Sequence, residues 1–160
     1  EFAPDDMTTL SNLSAVQELD GDIEGAIRTM RRILKKDPRA AVVLDKLGEL
    51  EFRVGNYAGA SDAYQKLLQL DPGHPDDYYY LGLARFNLGD NDGALSAWKQ
   101  GLVKDPGHIQ ILKSMPEAFY RKQDYDSAWN AVKECERRGL LLEDAFLQQL
   151  QTASGRLGPR

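Results

Sequence analysis

The sequence is 160 residues long, 42% hydrophobic and 28% charged, which suits one domain or one linear array of repeats around a continuous core. A net charge of −5 without clustered Lys and Arg excludes a general affinity for nucleic-acid phosphates or anionic membrane surfaces, and no apolar run reaches the roughly 18 residues needed for membrane insertion. One cysteine, Cys135, excludes an internal disulfide and leaves the compartment open.

Residues 1–6 read as a lead-in without the basic-then-apolar layout of a secretory signal, and Asp5 or Asp6 is placed to cap the first helix. Residues 7–40 follow as a pair of helices. The first carries Leu10, Leu13, Val16 and Leu19 at helical spacing, and the second Ile23, Ala26, Ile27, Met30, Ile33 and Leu34. Arg31, Arg32, Lys35 and Lys36 fall in a last turn, where cations meet the negative end of the helix dipole. Residues 41–74 and 75–108 form two further pairs. In each, Gly48 or Gly82 and Ala60 or Ala94 let two helices approach closely, while Tyr64 or Trp98 fills the wider part of the crossing. The loops Asp71-Pro72-Gly73-His74 and Asp105-Pro106-Gly107-His108 have the Pro-then-Gly order of a type II turn, and Pro75 suits the first position of a helix.

Residues 109–141 depart from this pattern. Pro116 stands mid-helix, where it removes the hydrogen bond to the Leu112 carbonyl, so a kink or break is expected. Gln123 replaces an inter-helix glycine, and Gly139 is expected to end the second helix as a left-handed cap. Residues 142–154 read as one more amphipathic helix, with Leu142, Phe146, Leu147, Leu150 and Ala153 as its apolar stripe. Residues 155–160 read as a disordered tail.

These elements repeat. The stretch from Gly48 to Ala60 returns as Gly82 to Ala94, and Asp37-Pro38, Asp71-Pro72 and Asp105-Pro106 share its spacing of 34 residues, as do Ala26, Ala60, Ala94 and Ala128. A fixed period of this length with a helix-turn-helix pattern marks a solenoid. The chain resembles the tetratricopeptide repeat (TPR) family through Leu44, Leu47-Gly48, Phe52, Ala60, Tyr64 and Pro72, and again through Tyr78, Leu81-Gly82, Phe86, Ala94, Trp98 and Pro106. The resemblance covers roughly residues 7–138. It implies an all-α fold, a right-handed superhelical α-solenoid of about four repeats: 7–40 (degenerate, with Ser14 in place of Gly), 41–74, 75–108 and 109–141 (divergent), closed by the capping helix 142–154.

Signals for catalysis are weak. His74 and His108 occupy equivalent inter-repeat turns and read as helix-start residues, with no further ligands at a metal spacing. Cys135 falls on an inner helix face without a histidine to activate it. The glycines are accounted for by packing and turns, not by a phosphate-cradling loop. No metal, cofactor or enzymatic activity is expected.

The family resemblance places partner contacts on the first helix of each repeat, along a concave groove. Carried over position by position, they fall on Asp45, Glu49, Phe52 and Arg53, then Asp76, Tyr79, Leu83, Phe86 and Asn87, then Lys113, Glu117, Tyr120 and Arg121. Repeat one offers Thr8, Ser11, Ala15, Glu18 and Leu19 there. Three consecutive tyrosines, Tyr78-Tyr79-Tyr80, cannot all face a core at about 100° per residue, and Tyr79 is expected to face the groove. Glu18, Asp45, Glu49 and Asp76 make the N-terminal half acidic, whereas Lys113 and Arg121 dominate the C-terminal end, which suits a partner with a basic end over the first repeats. The Lys, Asn and Arg clamp by which some members hold chaperone C-termini is missing in either frame, so such a tail is not expected. The expected function is a non-catalytic protein-interaction module binding a protein, peptide or partner helix in the groove. The alternatives are a self-associating homo-oligomeric module and a regulatory repeat domain of a larger enzyme. A soluble chain is expected, cytoplasmic, or periplasmic if bacterial.

Overall fold

A computed structural model describes residues 6–156. The expectations for Asp5, for the rest of the lead-in and for tail residues 157–160 lie outside the described residues. Among those described, the chain is all-α, with nine helices: α1 (Met7–Leu19), α2 (Ile23–Lys36), α3 (Ala41–Arg53), α4 (Tyr57–Leu70), α5 (Pro75–Asn87), α6 (Asn91–Lys104), α7 (Ile109–Arg121), α8 (Tyr125–Arg137) and α9 (Asp144–Ser154). None is long and apolar enough to cross a membrane. The chain divides into two compact units, meeting in sequence at Gly73 and His74.

One local device makes every helical pair. The residue before the second helix accepts a backbone N–H with its side chain: Asp22 from Gly25, Asn56 from Gly59, Asp90 from Gly93 and Asp124 from Ser127. These caps satisfy N–H groups that a helix start leaves unpaired. The residue preceding each cap has a positive φ, at Gly21, Gly55, Gly89 and Gln123, so the chain reverses through a left-handed step that glycine adopts without strain and glutamine does not.

In the first unit, α1 packs on α2, α2 on α3 and α3 on α4. Ala26, Ile27, Met30, Leu47, Leu50 and Ala63 form its core. A Cβ on Gly48 would lie 2.7 Å from the Tyr64 ring, so the absence of a side chain there is what admits the tyrosine. Glu51, only 2% exposed, is held by Arg31 at 2.5 Å and by Asn56 Nδ2 at 2.7 Å, which ties three helices together. The expected apolar stripe of α1 is largely outside the core. Leu10 is fully buried, but Leu13, Val16 and Leu19 are exposed, Leu19 at 86%. They advance round the helix at 100° per residue, so only the first of the series reaches α2.

In the second unit, α5 packs on α6, α6 on α7, α7 on α8 and α8 on α9. Ala94, Leu95, Trp98, Ile111 and Ala118 are its central core, and Ala128, Trp129, Val132 and Leu150 join α8 to α9. Here a Cβ on Gly82 would meet Trp98 Nε1 at 2.1 Å.

Three expectations are corrected. The helix α7 runs unbroken through Pro116, which is buried. The carbonyl of Leu112 that the proline leaves without a helical donor accepts the Cys135 thiol instead, at 3.3 Å. On the 34-residue period Pro116 takes the place of Gly48 and Gly82, and the smaller Val132 that of Tyr64 and Trp98, so the larger ring is accompanied by a smaller residue at the partner position. The inter-repeat turns are not type II, because neither Gly73 nor Gly107 has a positive φ. Instead Asp71 accepts the Gly73 N–H at 2.9 Å and Asp105 the Gly107 N–H at 2.8 Å, an aspartate side chain closing its own turn. In α9, Ala153 is exposed and the buried anchor is Leu150. Gly139 is left-handed after α8, and Asp6 caps α1 through the Thr9 N–H.

Candidate protein-binding face

In the second unit α5 and α7 lie within contact of each other beside α6, and a depression of about 300 Å³ opens among them. Its apolar lining is Tyr79, Leu83, Phe86 and Trp98, and its polar lining Gln110, Lys113, Ser114 and Glu117. Five of the residues expected on the first-helix face are thereby brought together: Tyr79, Leu83, Phe86, Lys113 and Glu117. Gln110 and Ser114 are not among the contact positions that the family resemblance supplies. Gln110 stands one period after Asp76, and that equivalence was the signal for it.

The pocket is braced from behind. Trp98 is fully buried and its indole N–H donates to the Tyr79 carbonyl at 3.1 Å. The Tyr79 ring stacks on His108, centroids 5.8 Å apart, and packs beside Tyr80 at 5.2 Å. Burial pushes the Tyr79 phenol up, since removing water disfavours the charged phenolate. Among the three tyrosines Tyr78 is buried, Tyr79 half-buried and Tyr80 exposed. His108 is itself buried; its Nδ1 accepts the Ile111 N–H at 3.3 Å as the cap of α7, and its Nε2 lies 2.9 Å from Asp76 Oδ1. With Nδ1 accepting, Nε2 carries the proton and donates to the carboxylate. Asp76 is thus a supporting group for α7, with one oxygen turned to the histidine.

Phe86 is 7% exposed. It packs on Trp98 and is covered by the Arg121 guanidinium, 3.8 Å from the ring centroid, while Arg121 also pairs with Glu117 at 2.9 Å. A flat cation over a ring face is an attractive arrangement. Asn87 donates to the Leu83 carbonyl at 2.8 Å. Tyr120 turns elsewhere, edge-on to Phe146 at 5.8 Å, and lines a second depression of about 450 Å³ with Ala145, Gln148, Gln149, Thr152 and Ala153 of α9. Among the lining residues Gln110, Lys113 and Glu117 are exposed and Tyr79, Leu83 and Ser114 half-buried, whereas Phe86 and Trp98 are buried.

In the first unit, Asp45 and Glu49 are exposed on α3, and Phe52 is half-buried, edge-on to Tyr57 at 5.1 Å. Apart from Asp45, the charges there pair with one another. Lys46 contacts Glu18 at 2.8 Å and Glu49 at 2.9 Å, and Arg53 contacts Glu18 at 3.2 Å and Glu49 at 3.8 Å. The Glu18 hydrogen bond holds the Lys46 ammonium above its usual range. The acidic character expected of this face is therefore largely neutralised from within.

No catalytic arrangement emerges at these positions. Burial pushes the Cys135 thiol up, which disfavours the nucleophilic thiolate. Among the described residues no group of three or more His, Cys, Asp or Glu is placed to hold a metal ion.

Comparison with known proteins places this architecture. No curated protein sequence matches the chain. Among solved structures, a crystal structure of MamA protein superposes with a TM-score of 0.79 at 21% identity, covering 92% of this chain and 82% of that one. Another MamA crystal structure gives 0.72 at 26% identity over 86% and 82% of the two chains. MamA from Desulfovibrio magneticus RS-1 gives 0.73 at 20% identity over 83% and 75%. The likeness is one of fold, an all-α helical-repeat solenoid. The tetratricopeptide repeat model matches residues 20–75 and 46–109, more than half of the sequence, and the chain belongs to the tetratricopeptide repeat family of protein-interaction modules.

Proposed function

We propose that the α5–α7 face of the second unit is the partner-binding surface, taking an extended peptide or a partner helix whose apolar side chain enters the pocket between Tyr79 and Leu83. The observation that carries this reading is a preformed depression lined by five of the expected contact residues, with its floor fixed by Trp98 and His108. A site that is ordered before binding loses less conformational entropy on association. The repeat frames 7–40, 41–74, 75–108 and 109–141, with 142–154 as cap, are part of this reading. Asp45 and the Glu49–Arg53 network of the first unit, with Phe52, form an auxiliary face; Asn87, Arg121 and Asp76 support the main one, and Tyr120 serves the α9 side.

The test is a pull-down from the source lysate with wild type beside Leu83→Arg, both checked by circular-dichroism melting. Proteins captured by wild type and lost with a natively melting Leu83→Arg support the pocket. The same proteins retained on both baits refute it.

A second reading, self-association, rests on α1. Leu13, Val16 and Leu19 are exposed on a helix whose one charged residue, Glu18, is already paired, so two copies would meet there without charge repulsion. Light scattering across concentration, wild type against Leu19→Glu, separates the cases: a mass that rises with concentration only in wild type favours it.

A further inference from the structure

The pocket's polar rim carries unequal commitments, and the inequality names the ligand. Glu117 is engaged by Arg121 at 2.9 Å. The Ser114 hydroxyl donates to the Gln110 carbonyl and the Asn87 amide to the Leu83 carbonyl, each at 2.8 Å. Asp76 is bonded to His108. Lys113 makes no ion pair among the described residues, and the Gln110 side chain makes no hydrogen bond among them, although both are exposed and line the pocket. Three residues apart on α7, they share one helix face. An ammonium with three donors and an amide with two stand beside an apolar hollow formed by Tyr79, Leu83 and Phe86.

We propose that this pocket selects an acidic segment of a partner protein: a large apolar side chain seated against Tyr79 and Leu83, with a neighbouring Glu or Asp carboxylate accepting from Lys113 Nζ and the Gln110 amide. The inference rests on the binding face proposed above and adds the sign of the ligand. It differs from the basic partner expected from the sequence, because of the four acidic groups that suggested one Glu18 and Glu49 are paired with Lys46 and Arg53, Asp76 is bonded to His108, and Asp45 lies on α3 of the first unit, outside this pocket. A single lysine with one amide differs from a terminal-carboxylate clamp, so the carboxylate is a side chain within the segment and not a chain end.

The experiment uses fluorescein-labelled synthetic peptides with one Leu or Phe anchor flanked by Glu, Gln or Lys in a Ser/Gly background. They are titrated by anisotropy against the whole chain as wild type, Lys113→Glu and Leu83→Arg, each first shown to melt alike. The Glu peptide should bind wild type about two- to fivefold tighter than the Gln peptide, and tighter again than the Lys peptide, as for a partly exposed ion pair. Lys113→Glu should invert that order, and Leu83→Arg should abolish binding of all three. If the three peptides bind wild type equally but Leu83→Arg still abolishes binding, the acidic preference is wrong and the pocket stands. If Leu83→Arg leaves binding unchanged, or no peptide binds, the pocket reading fails and takes the preference with it.

Discussion

Removing the Cys135 thiol should expose the consequence of placing proline inside α7. Pro116 has no N–H to give the Leu112 carbonyl four residues back. The Cys135 Sγ lies 3.3 Å from that oxygen, and Leu112, Pro116 and Cys135 are all buried. Cys135→Ala deletes a sulfur from a packed site, at about 1 kcal/mol for a loss near one methyl group. It also leaves a buried carbonyl unpaired, at about 1 kcal/mol or a little more because S–H is a weak donor. The total is about 2 kcal/mol, or a fall in Tm of roughly 4–8 °C for a chain of this size. In a Pro116→Ala background the new backbone N–H reaches the same carbonyl, so the thiol becomes redundant and Cys135→Ala should cost only the cavity. Urea denaturation of the four proteins of this double-mutant cycle, followed by circular dichroism, should therefore give a coupling of about 1 kcal/mol. Cys135→Ser, which keeps a donor, should lie between wild type and Cys135→Ala. An equal cost of Cys135→Ala in both backgrounds would refute the assignment of the thiol as the proline's compensating donor.

Gln123, at φ 60°, occupies the step that is glycine in the other three pairs; Gln123→Gly should stabilise the chain by about 0.5–1 kcal/mol, read as a higher urea midpoint with unchanged slope. Gly82→Val should collide with the buried Trp98, whose Nε1 would lie 2.1 Å from even the first added carbon, and cost at least about 1–3 kcal/mol with loss of the native tryptophan fluorescence maximum. Arg137 and Arg138 hold the Glu134 carboxyl at about 2. A folded value below the unfolded one gives stability that is complete above about pH 4.5 and lost as pH falls towards 2, so Glu134→Gln should melt slightly lower than wild type at neutral pH, converge with it near pH 2, and so flatten that acid limb of a pH series of melts. Phe86→Ala should behave as a core truncation, lowering stability by about 3–5 kcal/mol and not merely weakening a contact, since the ring is covered by Arg121 and packed on Trp98; a native melt for that variant would contradict this placement.

The repeat was legible because its period constrains many positions at once. Gly48 with Tyr64 and Gly82 with Trp98 are pairs separated by the same interval, and a small residue opposite a large ring has one geometric meaning. Local chemistry was legible too, as with the Asp6 cap and the left-handed Gly139. What could not be read from a pattern was the partner each side chain chose. Glu18 meets Arg53 across 35 residues of sequence, and nothing in the composition of either helix shows that the two charges cancel. The family resemblance puts Arg121 among the groove contacts, and its cover over Phe86 depends on a rotamer that spacing does not specify. That Pro116 removes a hydrogen bond follows from the sequence alone, but the carbonyl's alternative donor lies on another helix, 23 residues on. The leucines of α1 show the opposite limit: their spacing is helical, yet with packing on one side only a narrow arc of the helix is buried.

Incorporating a photo-crosslinking amino acid at position 83 and, separately, at the exposed Val103 of α6 tests the central claim most directly. After irradiation in source lysate, the pocket account predicts a discrete protein adduct from position 83 and none from position 103. Adducts from position 103 alone, or the same adducts from both, would contradict it.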